Sequence, residues 1–333
     1  MKQKPELRKY LVDKKWVVIA TARAKRPDTF RQKEKIKVPP ASECPFEVDK
    51  PDFQAQLAKA TYFYPNKENW RVCSIPNKFP AFVHGKSRNF RMDGPYEKED
   101  AVGFSEVIIT REHDKPIALM DNGDVEALLK CFQARYIDLM HQKFIDYILI
   151  MQNHGEEAGA SVYHPHAQLF AIPIISNDNM DEISGAEQYY QKNKRCSFCT
   201  IISNEKEVKK RIVFENSEFL VICPYASRFP FQMRIMPIEH QPYFERMAPH
   251  QLSKCAEALQ KVLLKIYKGL NDPPYNFYIH TSPCDGRDHN YFHWHIAIMP
   301  RLSRMAGFEI GTGIEINTVA PEDAAKFLRS VKT

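Results

Sequence analysis

The 333-residue chain is 44% hydrophobic and 26% charged, which is enough for a large core and for two domains or one duplicated unit. Its formal net charge of +6 suits anionic small molecules, but the basic residues are scattered rather than gathered in a stripe with interleaved aromatics, which argues against nucleic acid. No apolar run reaches the roughly 18 residues of a membrane span, and eight cysteines in a chain this long are no disulfide framework, so a reduced cytoplasmic protein is expected.

Residues 1–9 are charged and lead into no apolar signal core, which argues against secretion. Residues 16–22 read as a buried strand running into Arg23 and Arg26, either a solvated loop or two guanidinium groups delivered to a phosphate or base. Residues 30–40 are polar, basic and proline-bounded, a loop. After Glu43-Cys44-Pro45-Phe46-Glu47, a strand over 70–75 ends in Pro76-Asn77-Lys78-Phe79-Pro80. Prolines on both sides fix a rigid turn that would hold the Asn77 amide in place. Residues 84–100 read as a loop, and 103–110 as a strand leading to Glu112-His113. From Asp124, a plausible cap, to about Lys143, the residues Leu128, Leu129, Phe132, Tyr136 and Leu139 recur at helical spacing.

A strand over 145–151 then enters a small-residue loop, Gly159-Ala160-Ser161, and a second apolar strand leaves His164-Pro165-His166-Ala167-Gln168. Residues two apart on a strand share a face, so His164, His166 and Gln168 are expected side by side. The second half repeats this order. Cys196-Ser197-Phe198-Cys199 stands where Cys44 to Glu47 stood, strands over 219–223 and 232–237 follow, and Glu239-His240 matches Glu112-His113. A helix over 249–270 carries Leu252, Ala256, Leu259, Leu263 and Ile266 on one face, a strand covers 275–279, and Phe292-His293-Trp294-His295 closes the unit. His113 and His164 are 51 residues apart, and His240 and His293 are 53. That is an internal duplication of one strand-and-helix unit, followed by a C-terminal helix over 321–331.

Cys196, Cys199, His240 and one of His293 and His295 form a plausible tetrahedral zinc set. Cys44, His113 and His164 stand at matching positions, with Glu47 replacing the second cysteine; a Cys-Glu-His-His set is chemically sound, and an emptied site is the alternative. Cys73, Cys131, Cys223, Cys255 and Cys284 read as packing. With His164 tied to a metal, His166 is the free imidazole, able to attack phosphorus directly if its tautomer is held. Gln168 offers an amide donor, and the Gly159-Ala160-Ser161 loop offers backbone N–H groups and a hydroxyl. No Gly-x-Ser-x-Gly elbow supports a serine hydrolase, and no Gly-x-x-x-x-Gly-Lys-Ser/Thr loop supports a kinase-type site.

Gly159-Ala160-Ser161 with His164-Pro165-His166-Ala167-Gln168, the Cys-x-x-Cys and the duplicated His-x-His together resemble the galactose-1-phosphate uridylyltransferases, the transferase branch of the histidine-triad superfamily. The likeness also runs through Trp16 to Arg23, Arg26-Pro27, residues 75–81, 292–295 and 306–313. It implies an α+β fold, a duplicated histidine-triad-like unit in which an antiparallel sheet carries packed helices. Residues 1–190 would form the N-terminal unit with the catalytic His-Pro-His, and 191–333 the unit with Cys-x-x-Cys and His-Trp-His. The resemblance implies ping-pong transfer: His166 attacks the α-phosphorus of a nucleotide sugar and releases a sugar 1-phosphate. The nucleotide then passes to a second phosphate acceptor, with Gln168 binding the moving phosphoryl group.

By the same resemblance Asn77, Asn153, Gly159, Ala160 and Ser161 hold nucleotide and phosphates, with Arg23 and Arg26 nearby. Arg304, Gly307, Phe308, Glu309, Gly311 and Thr312 match a sugar-side segment often supplied by the partner subunit of a dimer, so a cytoplasmic homodimer is expected. The expected cofactor is zinc, one or two per chain, with iron as an alternative at the second site. UDP-glucose–hexose-1-phosphate uridylyl transfer stands first among the activities implied. Val162-Tyr163 precedes the histidines where the well-known bacterial members carry Asn-Pro, and the plant branch that phosphorolyses ADP-glucose shares this shorter motif. ADP-glucose or dinucleoside polyphosphate phosphorylase activity is therefore the alternative, and a non-catalytic zinc-stabilised nucleotide-binding protein a further one, opposed by the intact His166 and Gln168.

Overall fold

A computed structural model describes residues 4–21 and 30–333; Arg23 and Arg26 lie outside the described residues. In chain order the elements are β1 (Glu6–Lys9), β2 (Trp16–Ile19), α1 (Pro51–Leu57), β3 (Tyr62–Tyr64), β4 (Val72–Pro76), β5 (Arg91–Asp93), β6 (Tyr96–Lys98) and β7 (Phe104–Thr110). Then follow α2 (Asn122–Leu139), β8 (Tyr147–His154), β9 (His166–Ile172), α3 (Asn177–Asn193), α4 (Ser197–Val208), β10 (Ile212–Glu215), β11 (Phe219–Ile222) and β12 (Met233–Pro237). The chain closes with α5 (Pro249–Leu270), β13 (Tyr275–His280), β14 (His295–Pro300), α6 (Gly307–Thr312), β15 (Glu315–Asn317) and α7 (Pro321–Ser330). Among the described residues, no helix is long and apolar enough to cross a membrane.

Ten strands form one antiparallel sheet in the order β10-β11-β12-β14-β13-β8-β9-β7-β4-β3. Read outward from the β13–β8 seam, the two halves carry the same order: β8-β9-β7-β4-β3 on one side and β13-β14-β12-β11-β10 on the other. The duplication read from motif spacing is therefore visible as topology. A second sheet, β1-β2-β15, receives the N-terminal strand. There Val17 and Ile19 are buried, whereas Trp16 is 45% exposed under the Lys9 ammonium, so the strand expected to be buried is buried on one face only.

Side-chain alternation decides what each sheet face does. Ile148 and Ile150 of β8, Leu169 and Ala171 of β9, Phe277 and Ile279 of β13, and Ile296 and Ile298 of β14 share one core with α2 and α5. Each such side chain contributes about 1.5–3 kcal/mol on burial, so a one-residue slip of register would forfeit the core and is strongly opposed. The residues in between, Asn153, Gln168, Asn276 and Tyr278, consequently face the other way. On that opposite face α1 packs Phe53 against Cys73, Ile75, Val107 and Ile109, and α4 packs Phe198 and Ile202 near Leu220, Ile222 and Met236. A gap between these covers leaves the middle strands open for a site. Arg135 of α2 grips Glu106 of β7 through two hydrogen bonds of 2.8 Å, and Ser74 of β4 completes the carboxylate at 2.7 Å, all buried.

Three expectations are corrected. The α2 cap is Asp121, whose carboxylate accepts from the Asp124 N–H at 2.8 Å, not Asp124 itself. The helix also ends at Leu139, short of Lys143, with Met140 at its C-cap; Phe144 then takes a left-handed φ of +68° before the chain enters β8. Residues 84–100 hold the β5–β6 hairpin, turned at Gly94 with φ +58°; all six strand residues are exposed, so no apolar alternation betrays them.

Candidate nucleotidyl-transfer site

β9 begins at His166, and β14 begins at His295. His164 and His293 therefore precede their strands, and the expectation that His164 shares a strand face with His166 and Gln168 is not met. Pro165 cannot donate to a ladder, and the ring of His164 turns to Cys44, whose sulfur lies 3.3 Å from its Nδ1. His164 Nε2–H donates to the Thr110 carbonyl at 2.7 Å. His166 does the opposite: its Nδ1–H donates to the His164 carbonyl at 2.8 Å. A carbonyl only accepts, so Nδ1 carries the proton and Nε2 keeps its lone pair. Burial pushes His166 below the ordinary histidine range, its bond to the His164 carbonyl pulling the other way. The result is a neutral imidazole with a fixed tautomer.

His166 and Gln168 line a cavity of about 680 Å³ together with Asn77, Lys78, Phe79, Val107 and Ser161, walled on the other side by residues from Glu43 to Gln56. Such a volume suits a nucleotide-sized ligand. Asn77 Oδ1 accepts from the Phe79 N–H at 2.9 Å, and its own N–H donates to Ser105 O at 2.8 Å, so the proline-bounded turn leaves the Asn77 Nδ2 donor for the cavity. The phosphate-loop expectation needs one correction. Gly159 N–H and Ala160 N–H are spent on the carbonyls of Glu156 and Gly155 at 2.8 and 3.1 Å. Their contribution is shape, with Gly159 at φ +87°, a conformation that favours glycine. Ser161 alone of the three lines the cavity. Asn153 sits behind it: Gln152 faces Ala167 across β8–β9, and the next step of that register sets Asn153 beside His166.

The sequence overlooked the wall from Phe46 to Gln56 and the exposed ring of Phe79, 82% accessible at the cavity mouth. Phe46 and Phe79 lie in stretches singled out for Cys44, Glu47 and Asn77, but nothing in the sequence marks their rings or residues 50–56 as walls, and only the fold brings them over β9. Arg304, Gly307, Phe308, Glu309, Gly311 and Thr312 lie on and before α6, exposed except for the half-buried Glu309, and line no part of this cavity in their own chain.

Two clusters flank the histidine motifs. Cys44, Glu47, His113 and His164 lie with one donor atom each within 4.8 Å of one another, and so do Cys196, Cys199, His240 and His293. All four histidines are oriented alike. Their Nε2–H groups donate to the carbonyls of Pro39 (2.9 Å), Thr110 (2.7 Å), Asn290 (2.7 Å) and Pro237 (3.0 Å), turning Nδ1 inward. Backbone acceptors that fix ring orientation are what a metal centre requires behind its ligands. His113 Nδ1 is buried without a partner, and burial pushes His164 down to about 4, so both rings present lone pairs. The sets therefore fit a zinc ion. In the second, Cys196 is held as a thiolate chiefly by the Cys199 thiol, whose own proton is correspondingly retained, with His240 and His293 adding to it.

His295, expected as an alternative to His293 at this cluster, lies elsewhere. It stacks on His280 at 5.0 Å and stands 3.8 Å from Glu182, which His280 Nδ1 meets at 3.0 Å. Glu182, His280 and His295 thus form a third group of convergent donors. Glu182 and His280 carried no sequence signal, because one is on α3 and the other on β13.

A sheet whose halves repeat one strand order about a seam, with an unprotonated imidazole nitrogen beside a glutamine at one strand end, defines a duplicated α+β fold whose cavity presents a nucleophile to a phosphorylated ligand. The chain matches the family described as galactose-1-phosphate uridyl transferase, N-terminal domain, over residues 2–176, and a domain of unknown function (DUF4921) over 105–331. It is 33% identical over 340 residues to an ADP-glucose phosphorylase of Arabidopsis thaliana, covering 99% of this chain and 93% of that one. It is 28% identical over 337 residues to a galactose-1-phosphate uridylyltransferase of Thermotoga maritima, covering 98% of each. The crystal structure of an Arabidopsis thaliana ADP-glucose phosphorylase with bound ADP-glucose superimposes with a TM-score of 0.82 at 31% identity, over 99% of this chain and all of that one. The chain belongs to the galactose-1-phosphate uridylyltransferase family and is one of its nucleotidyltransferases.

Proposed function

We propose that this protein carries a nucleoside monophosphate from a nucleotide sugar to a phosphate acceptor through a nucleotidyl-His166 intermediate, with ADP-glucose as donor and inorganic phosphate as acceptor. The observation that carries the mechanism is His166, its Nδ1–H held by the His164 carbonyl at 2.8 Å and its ring on the cavity wall beside Gln168. Nε2 attacks the α-phosphorus; the N–P bond forms as the bond to the sugar 1-phosphate oxygen breaks, and glucose 1-phosphate leaves. Positive charge developing on the ring is stabilised by the carbonyl at Nδ1, and charge on the phosphoryl oxygens by donors from Gln168 and Ser161. A phosphate oxygen then displaces Nε2 and regenerates the enzyme. Phe79 at the mouth offers a face on which a base can stack, and Lys78 beside it a cation for the phosphates. Cys44, Glu47, His113 and His164 would hold a zinc ion that fixes the loop carrying the His164 carbonyl, a structural role. The nucleophile comes from the unit of residues 1–190, and the α6 segment, which lines no part of the cavity in its own chain, would serve the site of a partner copy in a homodimer.

ADP-glucose is placed first on the full-length likeness to the Arabidopsis phosphorylase. Uridylyl transfer from UDP-glucose to a hexose 1-phosphate, the order read from sequence, is favoured instead by the N-terminal family match and the Thermotoga relative. Incubation with each nucleotide sugar, followed by isolation of an acid-labile protein adduct, separates the two. Adenylylation discharged by inorganic phosphate to ADP is the expected result. Uridylylation discharged only by a hexose 1-phosphate would select the second reading, and no adduct from either would overturn both.

The pH profile follows from the direction of the His166 shift. Its folded value lies below the ordinary histidine value of about 6.5, so the neutral, reactive ring persists as pH falls through that point. Adduct formation is expected to stay flat from about pH 8 to about pH 6.5 and to decline only below. A rate already halved at about pH 6.5 would show a ring titrating as though exposed.

A further inference from the structure

We infer that Asn276 and Arg301, both from the second unit, fix the direction in which the Asn153 amide donates, and so act as positioning residues for the phosphoryl group at His166. The inference rests on the nucleotidyl-transfer reading for its functional meaning, and on the hydrogen bonds alone for its geometry.

Arg301 is the one group of the relay whose polarity is certain. Arg301 follows β14, where its N–H donates to the Pro274 carbonyl at 2.8 Å, and its Nε–H donates to Asn276 Oδ1. A guanidinium has donors only, so it dictates that the oxygen end of the Asn276 amide faces it. The nitrogen end faces the other way, and both of its hydrogens are used: one on Asn153 Oδ1 at 2.7 Å, the other on the Ala158 carbonyl at 2.7 Å. Arg301 and the Ala158 carbonyl agree, since one can only donate and the other only accept. A flipped Asn276 would set donor against donor at one end and oxygen against oxygen at the other. Asn153 is then fixed in turn. Its oxygen is taken by Asn276, so its Nδ2 points to the remaining side, 3.7 Å from where a Cβ on Gly159 would lie.

The sheet puts this relay at the site. Asn276 faces Asn153 across the β13–β8 seam, and the β8–β9 register carries Asn153 on to the level of His166. Asn153 Nδ2 is thereby kept on the Gly159 side, on the sheet face that His166 and Gln168 share, where the proposal puts oxygens of the attacked diphosphate. A reversed Asn153 would present a carbonyl oxygen to the same anion. The second unit, with Ala297 where the first has Gln168, thus contributes to the reaction through the seam.

Asn276→Asp keeps the size and the Arg301 contact but can only accept, so Asn153 turns its Nδ2 inward to meet it. Nucleotidyl-His166 formation at saturating nucleotide sugar is expected to slow roughly 100-fold, against roughly 10-fold for Asn276→Ala, which removes the director without reversing it. In an Asn153→Ala protein the aspartate should cost less than about 3-fold more, because its effect runs through Asn153. A loop merely loosened at Ala158 would slow the Asn153→Ala protein just as much, and that result would overturn the inference, as would an aspartate no worse than the alanine. The orientation is also read without substrate, from an NMR cross-peak between the Asn153 side-chain amide and Gly159 Hα in asparagine-labelled, metal-loaded protein. It is expected in the wild type and absent from Asn276→Asp; its absence from the wild type would refute the relay. A protein that shows the cross-peak but forms no adduct would keep the relay and sink only the transfer reading.

Discussion

The His166→Gly protein is expected to fold, keep its metal content and lose adduct formation by about four orders of magnitude or more. Loss on that scale follows because no other ring at this strand end can substitute. His113 and His164 have Nε2 committed to backbone carbonyls and Nδ1 turned into the Cys44 cluster. His154 lies on the opposite side of β8, bonded to Asp272 at 2.8 Å. His166 alone combines a carbonyl-held Nδ1–H with a ring on the cavity wall. The fold should survive because the ring stands at the edge of the core, meeting Phe46 edge-on at 5.7 Å rather than supporting the sheet. Rapid-quench measurement of labelled nucleotide on the protein checks this. A rate above about one hundredth of the wild type would remove His166 as the nucleophile.

What the sequence disclosed of this site depended on how far apart the interacting residues lie. Cys44, His113 and His164 are distant along the chain, yet they were legible because a second copy, Cys196, His240 and His293, repeats them in the same order. Repetition made chance spacing untenable. The same logic failed at His295, since a His-x-His read as one strand face does not show where the strand begins; both strands start at the second histidine, and the pair is split between two clusters. Glu182 and His280 escaped because nothing repeats them. Asn276 reaches Asn153 across 123 residues of sequence, and only the seam register reveals that contact. The helices α1, α3 and α4 lacked a clean apolar stripe, α1 burying only Phe53. The small-residue loop shows a different limit: its composition is plain in the sequence, but which N–H groups stay available is decided by its own turn, which consumes those of Gly159 and Ala160.

The two metal clusters are expected to separate stability from chemistry. Replacing Cys199 by serine should remove one metal ion per chain and lower the melting temperature by roughly 5–10 °C, since metal bound only by the folded state contributes several kcal/mol. The loss is local: Cys196 caps α4 and Cys199 sits in its first turn, so the helix start, the His240 turn and the approach to β14 lose their shared anchor. Adduct formation on the surviving folded protein should stay within a few-fold of wild type, because nothing in that cluster touches His166. Cys44→Ser is expected to cost comparable stability and also slow adduct formation about 100-fold or more. Its sulfur holds His164, and the His164 carbonyl holds the Nδ1–H that sets the nucleophile's tautomer. Elemental analysis, thermal melts and adduct rates on the two variants provide the comparison. A wild type with less than one metal per chain would overturn the metal assignment. Equal losses of chemistry in both variants would show that the clusters act through overall folding rather than through the chain of contacts from Cys44 to His166.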